Sequence, residues 1–202
     1  MSRAHPMNPD ERRRALIDAT RPLLLEHGLT ITTRQIAECA DVAEGTIFRA
    51  FGTKQNLIEA VVEDCFAPGP VIAAIDDIPA EFGLEDSVTW MVQILQGRIQ
   101  QVRSLMAAIS PGRPHGTRPK PPHRDFHKAI DEALSRILGR FDDELTVGTP
   151  TACWAISAMA FAAVMPLADH PDAADPRQLA RLILHGIAVD PTTAQPSEDT
   201  PC

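Results

Sequence analysis

Residues 32–60 carry their own punctuation, and it leaves room for little besides two short helices, a three-residue turn and a third helix. Thr32 and Gln35 stand at the spacing of a capping box, in which the Thr hydroxyl accepts from the third helical amide and the Gln side chain returns to the amide of the cap. A helix therefore starts at Thr33, with Ile36, Ala37 and Ala40 on its inner face. Asp41, Val42 and Ala43 are too few for anything but a turn, in which Asp41 tolerates a left-handed backbone and Val42 dips into the core. A second helix begins near Glu44. Its apolar members Ile47, Ala50 and Phe51 sit at i, i+3 and i+4, leaving Gly45, Thr46, Phe48 and Arg49 on other faces. Gly52 stops this helix and Thr53 caps the next, whose first turn holds Lys54, where exposed amides favour an anion and a cation makes sense beside a phosphate. Two helices joined by so tight a turn are a device for laying the second in the major groove of DNA. The candidate nucleic-acid surface is therefore Thr32, Thr33, Arg34, Glu44, Gly45, Thr46, Phe48, Arg49 and Lys54.

With these residues in place, the segment resembles the DNA-binding domain of the tetracycline-repressor (TetR) family of bacterial transcription regulators. The shared elements are Thr32 before the scaffold helix, Ile36, Ala37, Ala40, Val42, Gly45, Thr46, an aromatic at Phe48, Phe51, Lys54 and Leu57. With the preceding helix they span the first third of the chain. The sequence departs from the family pattern at the DNA-facing positions. Asp41 stands where the family usually has Gly, Ala43 replaces a capping Ser or Thr, and Phe48 replaces a Tyr whose hydroxyl meets phosphate in the family. Loss of a side-chain cap costs about 1 kcal/mol. Glu44 at the groove end of the helix either accepts from a cytosine amino group or repels phosphates unless Arg49 or Arg34 offsets it. A helical hairpin that merely packs is the alternative, and it leaves the flanking Arg49 and Lys54 without a reason.

At 202 residues the chain suits one small module and one larger helical domain. A formal charge of -8 argues against polyanion binding by the whole surface, so contact with DNA must be local. The cations that would serve lie in the first module: Arg12, Arg13, Arg14, Arg34, Arg49 and Lys54. Arg3 and the cluster of Arg12 to Arg14 are suited to an N-terminal arm that reaches phosphate or the minor groove, or else to a solvated helix start. There is no apolar run of bilayer length and no signal-peptide core, so a cytoplasmic protein without membrane contact is expected. Cys39, Cys65, Cys153 and Cys202 lack metal-ligand spacing; Cys39 and Cys153 fall in apolar helical stretches where a reduced thiol packs as a small hydrophobe.

The first helix is expected over residues 10–27, bent at Pro22 and ended by Gly28. The helix after Lys54 continues through Cys65 until Ala67 to Pro70, the expected hinge, ends it. A short helix over residues 71–78 and a long one over 85–109 follow. Residues 110–124, rich in Pro, Gly and basic side chains, predict an exposed, mobile loop. His115, His123 and His127 invite a metal site, but the loop offers no Cys and only Asp125 as a nearby carboxylate, so no metal is assigned. Helical period resumes over 124–145. Thr149 and Pro150 supply the cap and first-turn proline of a helix to about Met165, and Asp175 and Pro176 repeat the signal for a last helix to about Ala188.

The fold class is thus all-α: an N-terminal three-helix domain with a helix-turn-helix, residues 1–66, then a helical effector-binding and dimerisation domain, residues 67–190, and a disordered tail, residues 191–202. The last two helices carry more small and aliphatic surface than one chain of this size needs, which predicts a homodimer closed by a four-helix bundle. The resemblance implies the same, since family members dimerise through two C-terminal helices. Two recognition helices about 34 Å apart would address a near-palindromic double-stranded operator. The resemblance further implies release from DNA by a small-molecule effector bound between the C-terminal helices. Candidate lining residues are Trp90, Met91, Ile94, Met106, Phe126, Trp154, Met159 and Phe161, and the scarcity of charge around them favours an apolar or aromatic effector. No catalytic constellation and no cofactor site is read in the sequence, and the resemblance implies a ligand-responsive regulator, most commonly a repressor, rather than an enzyme. The alternative is a helical ligand-binding or scaffold protein with weak or lost DNA binding, motivated by Ala43, Glu44 and Phe48.

Overall fold

Asn8 opens the first helix of the computed structural model, which describes residues 8–110, 124–165 and 175–185. Asn8 and Glu11 form a capping box: the Glu11 amide donates to Asn8 Oδ1 at 2.8 Å and the Asn8 amide to Glu11 Oε2 at 2.9 Å, with Pro9 in the first turn. Helix α1 (Pro9–His27) continues through Pro22, burying Leu16, Thr20 and Leu24 at intervals of four; the Thr20 hydroxyl donates to the Leu16 carbonyl at 2.6 Å. The order that follows is α2 (Thr33–Cys39), α3 (Gly45–Phe51), α4 (Lys54–Cys65), α5 (Gly69–Asp76), α6 (Leu84–Ile109), α7 (Arg124–Leu138), α8 (Thr149–Val164) and α9 (Pro176–His185). The architecture is all-α, with no strand among the described residues.

The described residues of Met1–Ala73 and Gly97–Glu132 form one compact unit, and those of Ala74–Gln96 and Ala133–Cys202 a second. In the first, α1 packs on α2, α3 and α4, and α3 on α4. Its core joins Leu16 and Leu24 to Ile36, Ile47, Phe51, Leu57, Ile58 and Val61, with Leu105 and Ile109 of α6. Gly28 ends α1 at φ 60, its amide donating to the Leu24 carbonyl, and a Cβ there would lie 2.8 Å from the Ala108 carbonyl oxygen. Only glycine meets both the backbone angle and the close approach. In the second unit α8 packs on α9, and Ala152, Cys153, Ile156 and Ala160 are buried. Ion pairs join Arg136 to Asp76 at 2.6 Å and Arg181 to Glu85 at 2.9 Å.

Several boundaries differ from expectation for local reasons. The helix from residue 124 ends at Leu138, where Gly139 begins a 3-10 turn to Glu144 that breaks at Phe141 (φ -124, ψ 20). Gly148, not Thr149, caps α8; Thr149 is already helical and its hydroxyl donates to Asp142 at 2.7 Å. Part of the expected hinge is helical, because Gly69 and Pro70 form the first turn of α5, with the Pro68 carbonyl accepting from Val71 and Ile72 at 3.0 Å each. Cys39 is exposed at the end of α2 rather than packed, whereas Cys65 and Cys153 are buried. The expected loop of residues 110–124, nearly all of it, and the tail of residues 191–202 lie outside the described residues, as do Arg3, His115, His123, Cys202 and the last turn expected of α9. Among the described residues no group of His, Cys, Asp or Glu could hold a metal ion, and no single helix is long and apolar enough to cross a membrane.

Candidate nucleic-acid interface

The capping box at Thr32 forms as its spacing predicts: the Gln35 amide donates to Thr32 Oγ1 at 3.2 Å and the Thr32 amide to Gln35 Oε1 at 2.8 Å. After α2 the chain turns at Asp41, the one non-glycine residue of positive φ (50) among those described, and the Val42 amide donates back to the Ala37 carbonyl at 3.0 Å. The turn thus keeps its shape with Asp in place of glycine, since a short polar side chain adopts this conformation at modest cost. Helix α3 starts without a side-chain cap, as Ala43 requires.

Three other helices hold α3. At its start the Thr33 hydroxyl donates to the Glu44 carboxylate, so Glu44 is turned toward α2. At its end Gly52 (φ 77) closes the helix, its amide donating to the Phe48 carbonyl at 2.9 Å, while Asn56 of α4 donates to the Phe51 carbonyl at 2.8 Å. Arg13 of α1 donates to the Ala50 carbonyl and lies over the Phe51 ring, 4.1 Å from its centroid. With Ile47 and Phe51 anchored in the core, Gly45, Phe48 and Arg49 are exposed and Thr46 is half-buried; Phe48 is 49% exposed, unusual for so large an apolar side chain.

The remaining candidates carry prior commitments. Arg34 is exposed and bound to Glu38 at 2.9 Å, a hydrogen bond that, with Glu38's charge and a smaller push from Glu44, holds its guanidinium above the usual arginine pKa. Lys54 reaches back from α4 to donate to the carbonyls of Ile31 at 2.7 Å and Leu29 at 3.2 Å. Thr53 caps α4, accepting from the Asn56 amide at 3.1 Å. Of the basic cluster on α1, Arg13 serves α3, and Arg14 joins Arg21 on the Asp64 carboxylate, with Asp18 as a second partner for each. Asp64 raises the Arg14 pKa further. Sequence reasoning named Arg13 only as a cation suited to phosphate and missed Asn56 and Asp64, because the partners of all three lie on other helices. Only the capping box of Asn8 and Glu11 was open to local reading.

Of the eight residues expected around an effector, Met106 and Phe126 belong to the first unit and the other six to the second. Met91 is fully buried; Ile94 and Met159 are half-buried; Met106 packs at the edge of the first unit's core; Phe126 meets the His127 ring edge-on at 5.4 Å. Trp90 stands 6.0 Å from Phe82, while Trp154 and Phe161 project from α8, 70% and 54% exposed. The second unit instead holds a cavity of about 560 Å³ whose lining includes Leu84, Val88, Leu138, Leu145, Ile156 and Ile183, with Glu85, Glu144 and His185. None of the eight lines it. Apolar residues at helical spacing serve a core and a pocket equally well, and sequence does not separate the two uses.

Comparison with known proteins agrees with this geometry. Residues 16–61 match the sequence model of bacterial regulatory proteins, tetR family. The HTH-type transcriptional regulator YvkB of Bacillus subtilis (strain 168) is 46% identical over 57 residues, a match covering 28% of this chain and 29% of that one. The TetR transcriptional regulator SCO0520 from Streptomyces coelicolor shares the fold with a TM-score of 0.53 at 20% identity, over 86% of this chain and 97% of its own. The regulator FadR from Bacillus subtilis, solved in complex with stearoyl-CoA, does so with a TM-score of 0.54 at 18% identity, over 87% and 99%. These proteins are named as transcription regulators, and residues 16–61 of this chain carry the helix-turn-helix domain of the tetR family of bacterial regulatory proteins.

Proposed function

We propose that this regulator is a cytoplasmic homodimeric repressor that reads a near-palindromic operator with α3 and leaves it when a small apolar or aromatic effector binds the C-terminal helices. The observation that carries the reading is the presentation of α3: a seven-residue helix anchored at both ends, with Gly45, Phe48 and Arg49 outward. In this reading residues 1–66 bind DNA and residues 67–190 bind effector and partner. Arg49 reads a base edge, Thr32, Thr33, Arg34 and Thr46 meet the backbone, Gly45 admits a phosphate closely, Phe48 makes apolar contact, and Glu44 accepts from a base only if it leaves Thr33. Lys54 keeps one N–H for phosphate beyond the two that hold carbonyls. For the effector, the mainly apolar cavity lies in the size range of small-molecule sites, and the FadR of like fold carries a ligand with a long apolar chain. For the dimer, Trp154 and Phe161 lie seven residues apart on one face of α8.

A second reading, a ligand-binding protein with weak DNA affinity, draws on Glu44, Arg34 and Lys54 already having partners within the chain. Selection of duplexes from a random library followed by fluorescence anisotropy separates the two. The repressor reading expects one enriched near-palindrome bound about a thousandfold or more tighter than unrelated DNA at physiological salt. Enrichment of no sequence, with only weak salt-sensitive binding, would favour the second reading.

A further inference from the structure

The sequence offers Arg13 as one of a cluster of cations suited to phosphate, but its surroundings on α1 assign it another task. A helix as short as α3 is unstable by itself, and its last carbonyls have no partner within the helix. The Arg13 guanidinium donates to one of them, that of Ala50, and sets its central carbon over the ring of the next residue, Phe51, 4.1 Å from the centroid. Phe51 is itself a core residue, 7% exposed. Alongside Asn56 on the Phe51 carbonyl and the core anchors Ile47 and Phe51, this side chain restrains both the end of α3 and its rotation about its own axis, and it brings positive charge to the negative end of the helix dipole. Phe48 and Arg49 immediately precede the carbonyl it holds. At a helix radius of about 5 Å, a rotation of about 20° displaces a side-chain tip by about 2 Å. Hydrogen bonds to base edges keep their geometry over only about 0.5 Å.

We infer that Arg13 is the positioning residue of the recognition helix: it sets the angle at which α3 meets the groove without touching DNA. Arginine suits this in a way lysine does not, because one group both sets its charge over the Phe51 ring and offers a separate N–H to the Ala50 carbonyl. The proposal rests on the DNA-reading role of α3 proposed above, so one readout is taken without DNA. In hydrogen exchange on the free protein, Arg13→Ala should speed exchange of the α3 amides and of Gly52 about tenfold while the amides of Leu57, Ile58 and Val61 in α4 keep their protection. Arg13→Lys should fall between. Unchanged α3 exchange, or acceleration spread evenly over the unit, overturns the proposal whatever the protein does with DNA.

The second readout uses a duplex selected by the unaltered protein and a scrambled one. Arg13→Ala should narrow the ratio of their Kd values about tenfold and leave the slope of log K against log salt as it was. An equal loss on both duplexes with a slope shallower by about 0.9 would make Arg13 a phosphate contact and overturn the positioning role. Should the unaltered protein select no sequence, the regulator reading fails and the exchange result alone decides for or against Arg13.

Discussion

Lys54 and Arg49 stand near one another in sequence, yet their surroundings predict opposite experimental signatures. The Lys54 ammonium holds the carbonyls of Leu29 and Ile31, on the stretch that connects α1 to α2. Lys54→Met keeps most of the aliphatic stem and strips two half-buried carbonyls of a charged donor, a loss of about 1–3 kcal/mol. Urea denaturation followed by circular dichroism should show a lowered midpoint with an unchanged slope. Arg49 is exposed, and Arg49→Ala should stay within about 0.5 kcal/mol of the parent while losing discrimination at one base pair. If Lys54→Met left stability untouched and weakened every DNA sequence alike, the ammonium would be a phosphate contact first and a brace second. The thiols divide just as clearly. Burial raises the pKa of Cys65, with Arg98 and Arg21 opposing the shift, and Cys39 is exposed. Peptide mapping after brief alkylation at neutral pH should find Cys39 modified and Cys65 and Cys153 protected. Because the folded pKa of Cys65 lies above the unfolded one, its contribution to stability is complete below the unfolded value of about 8.5 and is lost as pH rises through the folded value. Cys65→Ala should flatten that alkaline decline, and a decline of unaltered steepness would assign it to other groups.

At the scale of the element, glycine carries the sharpest constraint. Gly28 combines φ 60, ψ -144 with a Cβ position 2.8 Å from the Ala108 backbone oxygen, so Gly28→Ala meets both backbone strain and a rigid neighbour. A loss of about 2 kcal/mol or more is expected, against almost none for Gly45→Ala, where a Cβ would meet nothing within 4 Å. Thermal melts of the two variants test the contrast, and equal melting temperatures would show that the α1–α6 approach relaxes freely. The same locality explains what sequence could reveal. Helices α2, α3 and α4 were legible to within a residue because Thr32 with Gln35, Gly52 and Thr53 act within one turn. The end of α7 was not, since apolar period persists past Gly139 to Phe141 while the backbone does not stay helical. The partners of Arg13 and Lys54 lie 37 and 23 to 25 residues away and follow from packing alone. Within the candidate set, the division between residues that face outward and residues that brace was therefore not readable.

For the whole molecule the decisive surface is the face of α8 that bears Trp154 and Phe161. Aromatic side chains of this size bury about 150–250 Å² each when fully covered, so the exposed parts of these two supply roughly a quarter to two-fifths of the roughly 800 Å² per partner of a standard interface, and a two-fold axis repeats the contribution on the other partner. Each is far more exposed than a core aromatic and neither lines the described cavity, which makes a second copy of the chain the expected cover. Light scattering and native mass spectrometry should find a dimer. A buried aromatic anchor is worth about 2 kcal/mol or more, so Trp154→Glu should raise the dimer Kd at least about thirtyfold. Circular dichroism should stay that of the parent, because α8 keeps Ala152, Cys153, Ile156 and Ala160 toward its own core. The consequence for DNA follows from symmetry. A palindrome holds two half-sites, and a monomer binding one of them loses the effective concentration that the partner provides. At protein concentrations below its dimer Kd, Trp154→Glu should bind a single half-site as the parent does and lose the tighter binding to the full site. A variant that remained dimeric, or that was monomeric and still bound the full site with undiminished affinity, would show that α8 is not the surface that builds the DNA-reading assembly.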